Sequence, residues 1–253
     1  SEQITMGSSC GSQTLTATII NPGGTEISQI CEAQIGQSTC NGGSLAGMEM
    51  YTYQITATLI PCSDWVNSWS TCCRNTTINI PTSTGDGSYI EATLNSVLDS
   101  CNFSPAFFAQ PIPSVCIDQP FTYNLSASNN GGDSLVYEFI AARSDAGTPL
   151  AYASPYSDIN PINGISIDQN SGTINFTPTT LGNFIVVVQV SQYNSSGVLI
   201  GTVMRDIQFM VVACSGNFPP IDTSGTISGL SGTALATGNY SLQLCSGGNF
   251  SFT

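Results

Sequence analysis

The sequence predicts an all-β protein, antiparallel sandwiches in tandem held together by disulfides. Three observations predict it. Apolar and polar residues alternate at period two over long stretches, Gly/Asn/Pro clusters interrupt that alternation at short intervals, and ten cysteines occur in a chain without a single histidine or lysine. Period-two alternation buries one face of a strand. An even cysteine count of this size reads as the oxidised framework of a secreted protein.

The first block, residues 1–100, carries "LTATII" (Leu15–Ile20), "YTYQITATL" (Tyr51–Leu59), "TINI" (Thr77–Ile80) and "YIEATL" (Tyr89–Leu94). In the second of these, Tyr51, Tyr53, Ile55, Ala57 and Leu59 share one face, which is expected to be buried. Turn-rich pieces lie between them: "NPGG" (Asn21–Gly24), "NGG" (Asn41–Gly43) and "TGDGS" (Thr84–Ser88).

The second block, residues 101–214, holds "FTYNLSA" (Phe121–Ala127), "SLVYEFIAA" (Ser134–Ala142), "GISID" (Gly164–Asp168), "TINFTP" (Thr173–Pro178), "NFIVVVQVSQY" (Asn183–Tyr193) and "VLIGTVMRDIQFMVV" (Val198–Val212). "QNSG" (Gln169–Gly172) and "NSSG" (Asn194–Gly197) supply hairpin turns. In the last strand Val198, Ile200 and Met204 share one parity, while Ile207, Phe209 and Val211 take the other, which predicts a bulge near Arg205-Asp206. Roughly seven short strands in about 110 residues predict an immunoglobulin-like β-sandwich.

An internal repeat extends the pattern. "CNFSPAF" (Cys101–Phe107) precedes "VCIDQPFTYN" (Val115–Asn124), and "CSGNFPPI" (Cys214–Ile221) precedes "LCSGGNFSFT" (Leu244–Thr253). Each unit reads as the end of one sandwich running into the next. Residues 215–253 are therefore expected to begin a third sandwich, and the natural polypeptide to be far longer.

"GISIDQNSGTINFTPTTLGNFIVVVQV" resembles the immunoglobulin- or cadherin-like repeats of bacterial surface proteins. The ordered set "YTYQITATLIPCSDW", "CCRN", "YIEATLN", "CNFSPAF", "VCIDQPFTYN", "GDSLVYEF", "GTPLAYASPYS" and "GVLIGTVMRDIQ" is similar to blocks of very large Bacteroidota cell-surface proteins. These are the gliding-motility adhesins exported by the type IX system, of which SprB-like adhesins are the nearest kind. Residues 11–50 depart from the pattern as an insertion or extra subdomain, and the carboxy-terminal sorting domain of such proteins is absent. The resemblance implies an amino-terminal segment of an adhesin or filament.

Composition narrows the chemistry. Charged residues are 8% of the chain and the formal net charge is −13, which repels nucleic acid and anionic membranes. Without histidine there is no Ser-His-Asp or Cys-His pair and no His-ligated zinc; without lysine there is no Schiff base and no P-loop. Most catalytic options are thereby removed; carboxylate pairs of the glycosidase kind remain possible in principle, and an enzyme is not expected. No apolar run approaches the ~20 residues that span a bilayer.

The cysteines are the first candidate site. Cys72 and Cys73 in "TCCRN" are candidates for metal ligands, a redox pair or the ends of two disulfides. Pairing with each other strains the intervening peptide, so one is expected to close the loop to Cys62 and the other to reach Cys10, Cys31 or Cys40. By the repeat logic Cys101–Cys116 and Cys214–Cys245 are equivalent bridges. Each would stabilise the chain by about 3 kcal/mol.

Four further features are candidates. Asn129 and Asp133 in "SNNGGD" keep ligand oxygens where cadherin-like repeats bind calcium, although Gly131 stands in place of a carboxylate, and an Asn-Gly turn without metal is the plainer reading. Trp65 and Trp69, with Tyr51 and Tyr53, are either a small core or a sugar-stacking loop closed by a disulfide. "DSL" at Asp133–Leu135 resembles the Bacteroidota O-glycosylation signal, with Ser134 as acceptor. Arg74, Arg143 and Arg205, outnumbered by sixteen acids, are each expected in a bidentate salt bridge.

Together these predict a structural and adhesive segment of a secreted bacterial adhesin or filament at the extracellular cell surface, linked to gliding or attachment. Its expected partners are an extracellular surface, a glycan or a protein ligand, and further domains of the same chain, with no nucleic acid and no membrane insertion. The alternatives are a carbohydrate-binding accessory module of a secreted enzyme and a polymerising filament or surface-layer subunit.

Overall fold

The computed structural model describes residues 2–214 apart from 30, 31, 46, 82–85, 100, 101, 103, 108, 111–113, 126 and 129–131. The expected third sandwich with Cys245, and the expectations for Cys31, Cys101 and Asn129, lie outside the described residues.

The protein is all-β. In the first block β1 (Glu2–Ser8) and β2 (Gly11–Ile19) form a hairpin, and β3 (Thr25–Glu26) pairs with β4 (Glu49–Met50). β5 (Tyr53–Gln54) meets only the end of β2, and β6 (Trp65–Thr71) pairs along its length with β7 (Ser88–Leu94). The second block opens with β8 (Ala106–Phe107), β9 (Ser114–Cys116), β10 (Phe121–Asn124) and β11 (Ala127–Ser128). It continues with β12 (Ser134–Ile140), β13 (Arg143–Asp145), β14 (Thr148–Pro149), β15 (Ser166–Ile167) and β16 (Thr173–Phe176). A long hairpin, β17 (Gly182–Tyr193) and β18 (Leu199–Val212), closes it.

One sheet runs through both blocks in the order β12-β17-β18-β7-β6-β1-β2-β5. β7 joins β18 where Ala92–Leu94 lie opposite Gly201–Val203, so a ladder crosses the position expected to separate two sandwiches. The smaller β10-β16-β15 sheet covers one face of the β12-β17-β18 region.

The β17–β18 hairpin is buried on both sides, which explains the unbroken apolar run of β17. Phe184, Val186, Val188 and Val190 pack with Ile207, Phe209 and Val211 beneath Tyr123, Ile174 and Phe176. Ile185 and Val187 point the other way and pack with Met204, Ile80 and Ala142. Each large apolar side chain removed from water contributes about 1.5–3 kcal/mol. Phe209 also meets Phe176 edge-on at 5.3 Å and Tyr123 at 6.2 Å, a geometry that adds about 0.5–1.5 kcal/mol per pair.

This two-sided burial corrects the expected bulge at Arg205-Asp206. The register passes through those residues unbroken: Val188 faces Arg205 and Val187 faces Asp206. The parity switch marks a change in which face is covered. The register shift lies instead at Gln192/Tyr193, which face Gly201 and Leu199, leaving Ile200 as the extra residue.

"TINI" is not the expected strand: the chain bends at Ile78 and Asn79. Where β12 ends, this segment takes over the edge of β17: Ile78 N–H donates to Asn183 C=O at 2.8 Å. The fully buried Asn79 then substitutes its side chain for a strand backbone. Its Nδ2 donates to Ile185 C=O at 2.7 Å and to Pro161 C=O at 2.9 Å, and its Oδ1 accepts from Ile185 N–H at 3.0 Å.

"YTYQITATL" is half right. Ile55, Ala57 and Leu59 pack against Met6, Cys62 and Trp65, as the alternation demands, but Tyr51 and Tyr53 are 45% and 38% exposed. β5 reaches β2 only at Thr18 and Ile19, so no second layer covers the two tyrosines. Among the turns, "QNSG" behaves as read. Gly172 has φ 68, and a Cβ there would lie 2.5 Å from the Tyr137 ring, so no other residue fits.

The disulfides also depart from the expected pairing. Cys62 joins Cys10, Cys116 joins Cys214, and Cys72 joins Cys73. Cys62 cannot reach Cys72 because β6 runs straight between them, and seven residues at about 3.3 Å each span roughly 20 Å, far beyond disulfide reach. The β1–β2 turn comes to Cys62 instead, with Ser9 N–H and Oγ–H donating to the Asp64 carboxylate. Cys116 meets Cys214 because β9 lies parallel to β18, with Cys116 opposite Val212. Cys40 is a free thiol among the described residues.

Replacing Asn79 by Ala strands the Ile185 N–H and C=O in the interior, each worth about 1–3 kcal/mol. Asn79→Ala is expected to lower unfolding free energy by about 2–5 kcal/mol in urea melts, and Asn79→Asp to recover little of it, because the Ile185 carbonyl loses its donor.

Candidate functional site

The site is built around "TCCRN". β6 ends at Thr71, and the next two residues turn sharply: Cys73 takes φ 75, and the N–H groups of Cys73 and Arg74 both donate to Asp86 C=O. The Cys72–Cys73 disulfide closes a small ring through the peptide bond between them. Both cysteines are exposed. This is the pairing the sequence argument set aside as strained.

The turn aims Arg74 into the structure. Its Nε donates to Gly87 C=O at 2.9 Å, and its Nη2 donates to Arg143 C=O at 3.2 Å and to Asp206 Oδ2 at 2.6 Å. With side chains only 4% and 12% exposed, Arg74 and Asp206 form a nearly buried ion pair that ties the β6–β7 connection to β13 and β18. Nearby, Arg143 pairs with Glu91 at 2.6 Å, and Glu91 accepts from Tyr89 Oη. Burial, and then the hydrogen bond to Glu91, push the Tyr89 phenol up to about 12.

Beyond Val203, β7 no longer pairs with β18, and β9 does not begin until Met210. That gap in the sheet leaves an open cleft of about 380 Å³. Trp69, Ile90, Ile185 and Met204 line it with apolar surface, and Asn75, Ser88, Asp206 and Gln208 with polar groups, beside Cys73, Arg74 and Arg205. Asn75 Nδ2 donates to Gln208 Oε1 at 3.0 Å.

The sequence predicts an aromatic cluster of Trp65 and Trp69, in a disulfide-closed loop, with Tyr51 and Tyr53 on the buried face of a strand. The structure separates them. Both tryptophans stand on β6, Trp65 is buried and donates to Ile60 C=O, and Trp69 lines the cleft while donating to Glu2. Period-two alternation within "WVNSW" was the signal available for a strand there, weakened by the polar residues between the two indoles.

Arg74 and Arg143 each form a salt bridge, but through a single N–O contact and not the bidentate pair expected. Arg205 has no acidic partner among the described residues. It lies over the rings of Phe107 and Tyr123, at 5.1 and 5.9 Å, and donates to Ala109 C=O at 2.7 Å. Asp133 accepts from the buried Gln192 at 2.8 Å, and Ser134 is exposed at the start of β12. Cys10, Cys62 and Asp64 approach within 4.8 Å, but with the sulfurs joined the cluster has no thiolate to offer a metal.

Comparison with family models, curated proteins and solved structures finds no match to this chain.

Removing one partner of a nearly buried pair leaves an uncompensated charge. Arg74→Ala is expected to cost about 3–5 kcal/mol by denaturant unfolding, whereas the joint Arg74→Met, Asp206→Leu variant costs less than either single change. At alkaline pH the tyrosines set the trend. Burial also raises Tyr123, Tyr137 and Tyr152. An unfolded tyrosine ionises near 10, so stability is full below about pH 10 and falls as pH climbs toward 12. Urea melts on Tyr89→Phe should show a shallower fall than the parent.

Proposed function

We propose that this chain is an adhesive, tension-carrying segment of a secreted bacterial surface adhesin or filament, of the gliding-motility kind its sequence resembles. The observation that carries this reading is the Cys116–Cys214 bridge between the adjacent parallel strands β9 and β18. Tension entering at Ser114 and leaving past Cys214 pulls these strands in opposite directions along their length. It therefore loads the ladder in shear, where the hydrogen bonds resist together. The bridge takes that tension directly, and the residues inside it, spaced 98 apart in sequence, are not drawn out. Cys10–Cys62 closes a second loop of separation 52. Disulfides are compatible with an extracellular setting, and no helix among the described residues is long and apolar enough to cross a membrane.

A second reading, a polymerising filament subunit, draws on the edge of β2. Residues 11–17 carry no ladder partner on their outer side among the described residues, and "GSQTLTATI" has neither charge nor proline to discourage strand addition.

Two measurements test the main reading. Antibody against this chain should label intact producing cells, and in-frame deletion should reduce their attachment; an intracellular location or unchanged attachment overturns the proposal. Pulled from both ends, the oxidised protein should release about 330 Å less chain than the reduced one per Cys116–Cys214 loop, at roughly 3.4 Å per residue.

A further inference from the structure

We propose that the cleft beside the Cys72–Cys73 ring binds a neutral pyranose unit of a surface glycan. The inference deepens the adhesive reading and rests on it.

Shape and lining select the ligand class. At about 380 Å³ the cleft falls in the lower part of the small-ligand range of about 300–1,000 Å³. A pyranose is amphipathic across its ring, with a face of C–H bonds and an equator of hydroxyls. The cleft has matching parts. Trp69 offers an aromatic surface for the C–H face, and the exposed disulfide beside it adds an uncharged, weakly hydrated one. Asn75, Ser88 and Gln208 supply amides and a hydroxyl. An amide carries a donor and an acceptor side by side, which suits adjacent sugar hydroxyls. Gln208 accepts from Asn75 through Oε1, and its Nε2 has no partner among the described residues.

Electrostatics disfavour the charged alternatives. Three charged residues line the cleft. Arg74 and Asp206 neutralise each other at 2.6 Å, and the Arg74 fork is also held by the Gly87 and Arg143 carbonyls. Arg205 turns its guanidinium to the Phe107 and Tyr123 rings and the Ala109 carbonyl. Neither guanidinium is directed to an acidic sugar or phosphate in the cleft, and a chain of net charge −13 repels anions. A cation would find one carboxylate, already paired.

The ring has a positioning role. By holding Cys73 at φ 75 it directs Arg74 inward and sets Asn75 at the cleft mouth. Opening it leaves the sheet intact and changes the rim.

The test uses the oxidised full chain labelled with ¹⁵N, titrated with glucose, galactose, mannose and N-acetylglucosamine, and with glucuronic acid as an anionic comparator. The two indole N–H signals separate the sites. A neutral sugar should shift the Trp69 signal and leave that of buried Trp65 in place. Gln208→Ala should weaken binding roughly tenfold, as expected for one lost hydrogen-bonding group, with unchanged melting. Trp69→Ala should abolish binding, and Cys72→Ser with Cys73→Ser should weaken it while Cys10–Cys62 and Cys116–Cys214 stay closed. A glycan array separates a free sugar from one that must sit within a longer chain.

Absence of any Trp69 shift across the sugars and the array overturns the proposal, as does preference for glucuronic acid or a Gln208→Ala variant that binds normally. Sugar-induced shifts confined to residues near Tyr51 and Tyr53 also overturn it, while leaving the adhesive reading standing. Loss of attachment on deletion together with a silent Trp69 separates failure of the site from failure of the adhesive role.

Discussion

Burial of the β17–β18 hairpin on both faces is the constraint on which the rest depends. A strand with water on one side can satisfy its neighbours loosely, but the buried lengths of this pair must be covered on both faces. β12 and β7 pair with only part of its two edges, and the remaining lengths are completed by pieces that are not ladder neighbours of the usual kind. On one edge this is the segment around Asn79, whose side chain makes the hydrogen bonds a strand would make. On the other it is the short parallel β9, with the Arg74 turn spanning the interval between β7 and β9. An interior hydrogen-bonding group left unpaired costs far more than a made bond returns, so these substitutes are as necessary as the strands.

The cleft follows from the same constraint. β7 and β9 leave a length of β18 without a strand, and what fills the interval is a guanidinium rather than a backbone. Arg74 reaches three acceptors from one turn, which a lysine could not do with the same geometry. A side chain fills less space than a strand, and the unfilled remainder is the cleft. Within it Arg74 and Asp206 pair with each other, and Trp69, Ile90, Ile185 and Met204 give it apolar surface.

Disulfides tie together parts of the fold that are distant in sequence. Cys116–Cys214 joins the adjacent parallel strands β9 and β18. Cys10–Cys62 holds the β1–β2 turn, where Ser9 and Asp64 also bind. The small first core, centred on Met6, Cys62 and Trp65, is the part most in need of such a tie.

The sequence by itself determined the all-β class, most strands of the second block, both of its hairpin turns and the oxidised state of its framework. These are local properties: alternation at period two, Asn-Gly and Ser-Gly turns, and cysteine parity need no knowledge of the partner strand. Tertiary structure alone decided which cysteine meets which, that the parity switch in "VLIGTVMRDIQFMVV" marks a second covered face and not a bulge, that Tyr51 and Tyr53 stay exposed, and that Trp69 and "TCCRN" share a cleft while Trp65 does not. Each depends on what lies across from a residue after residues distant in the chain come together. The spacing of Cys62 and Cys72 held no sign that an extended β6 separates them, because ten residues close a loop or span a sheet depending on their neighbours.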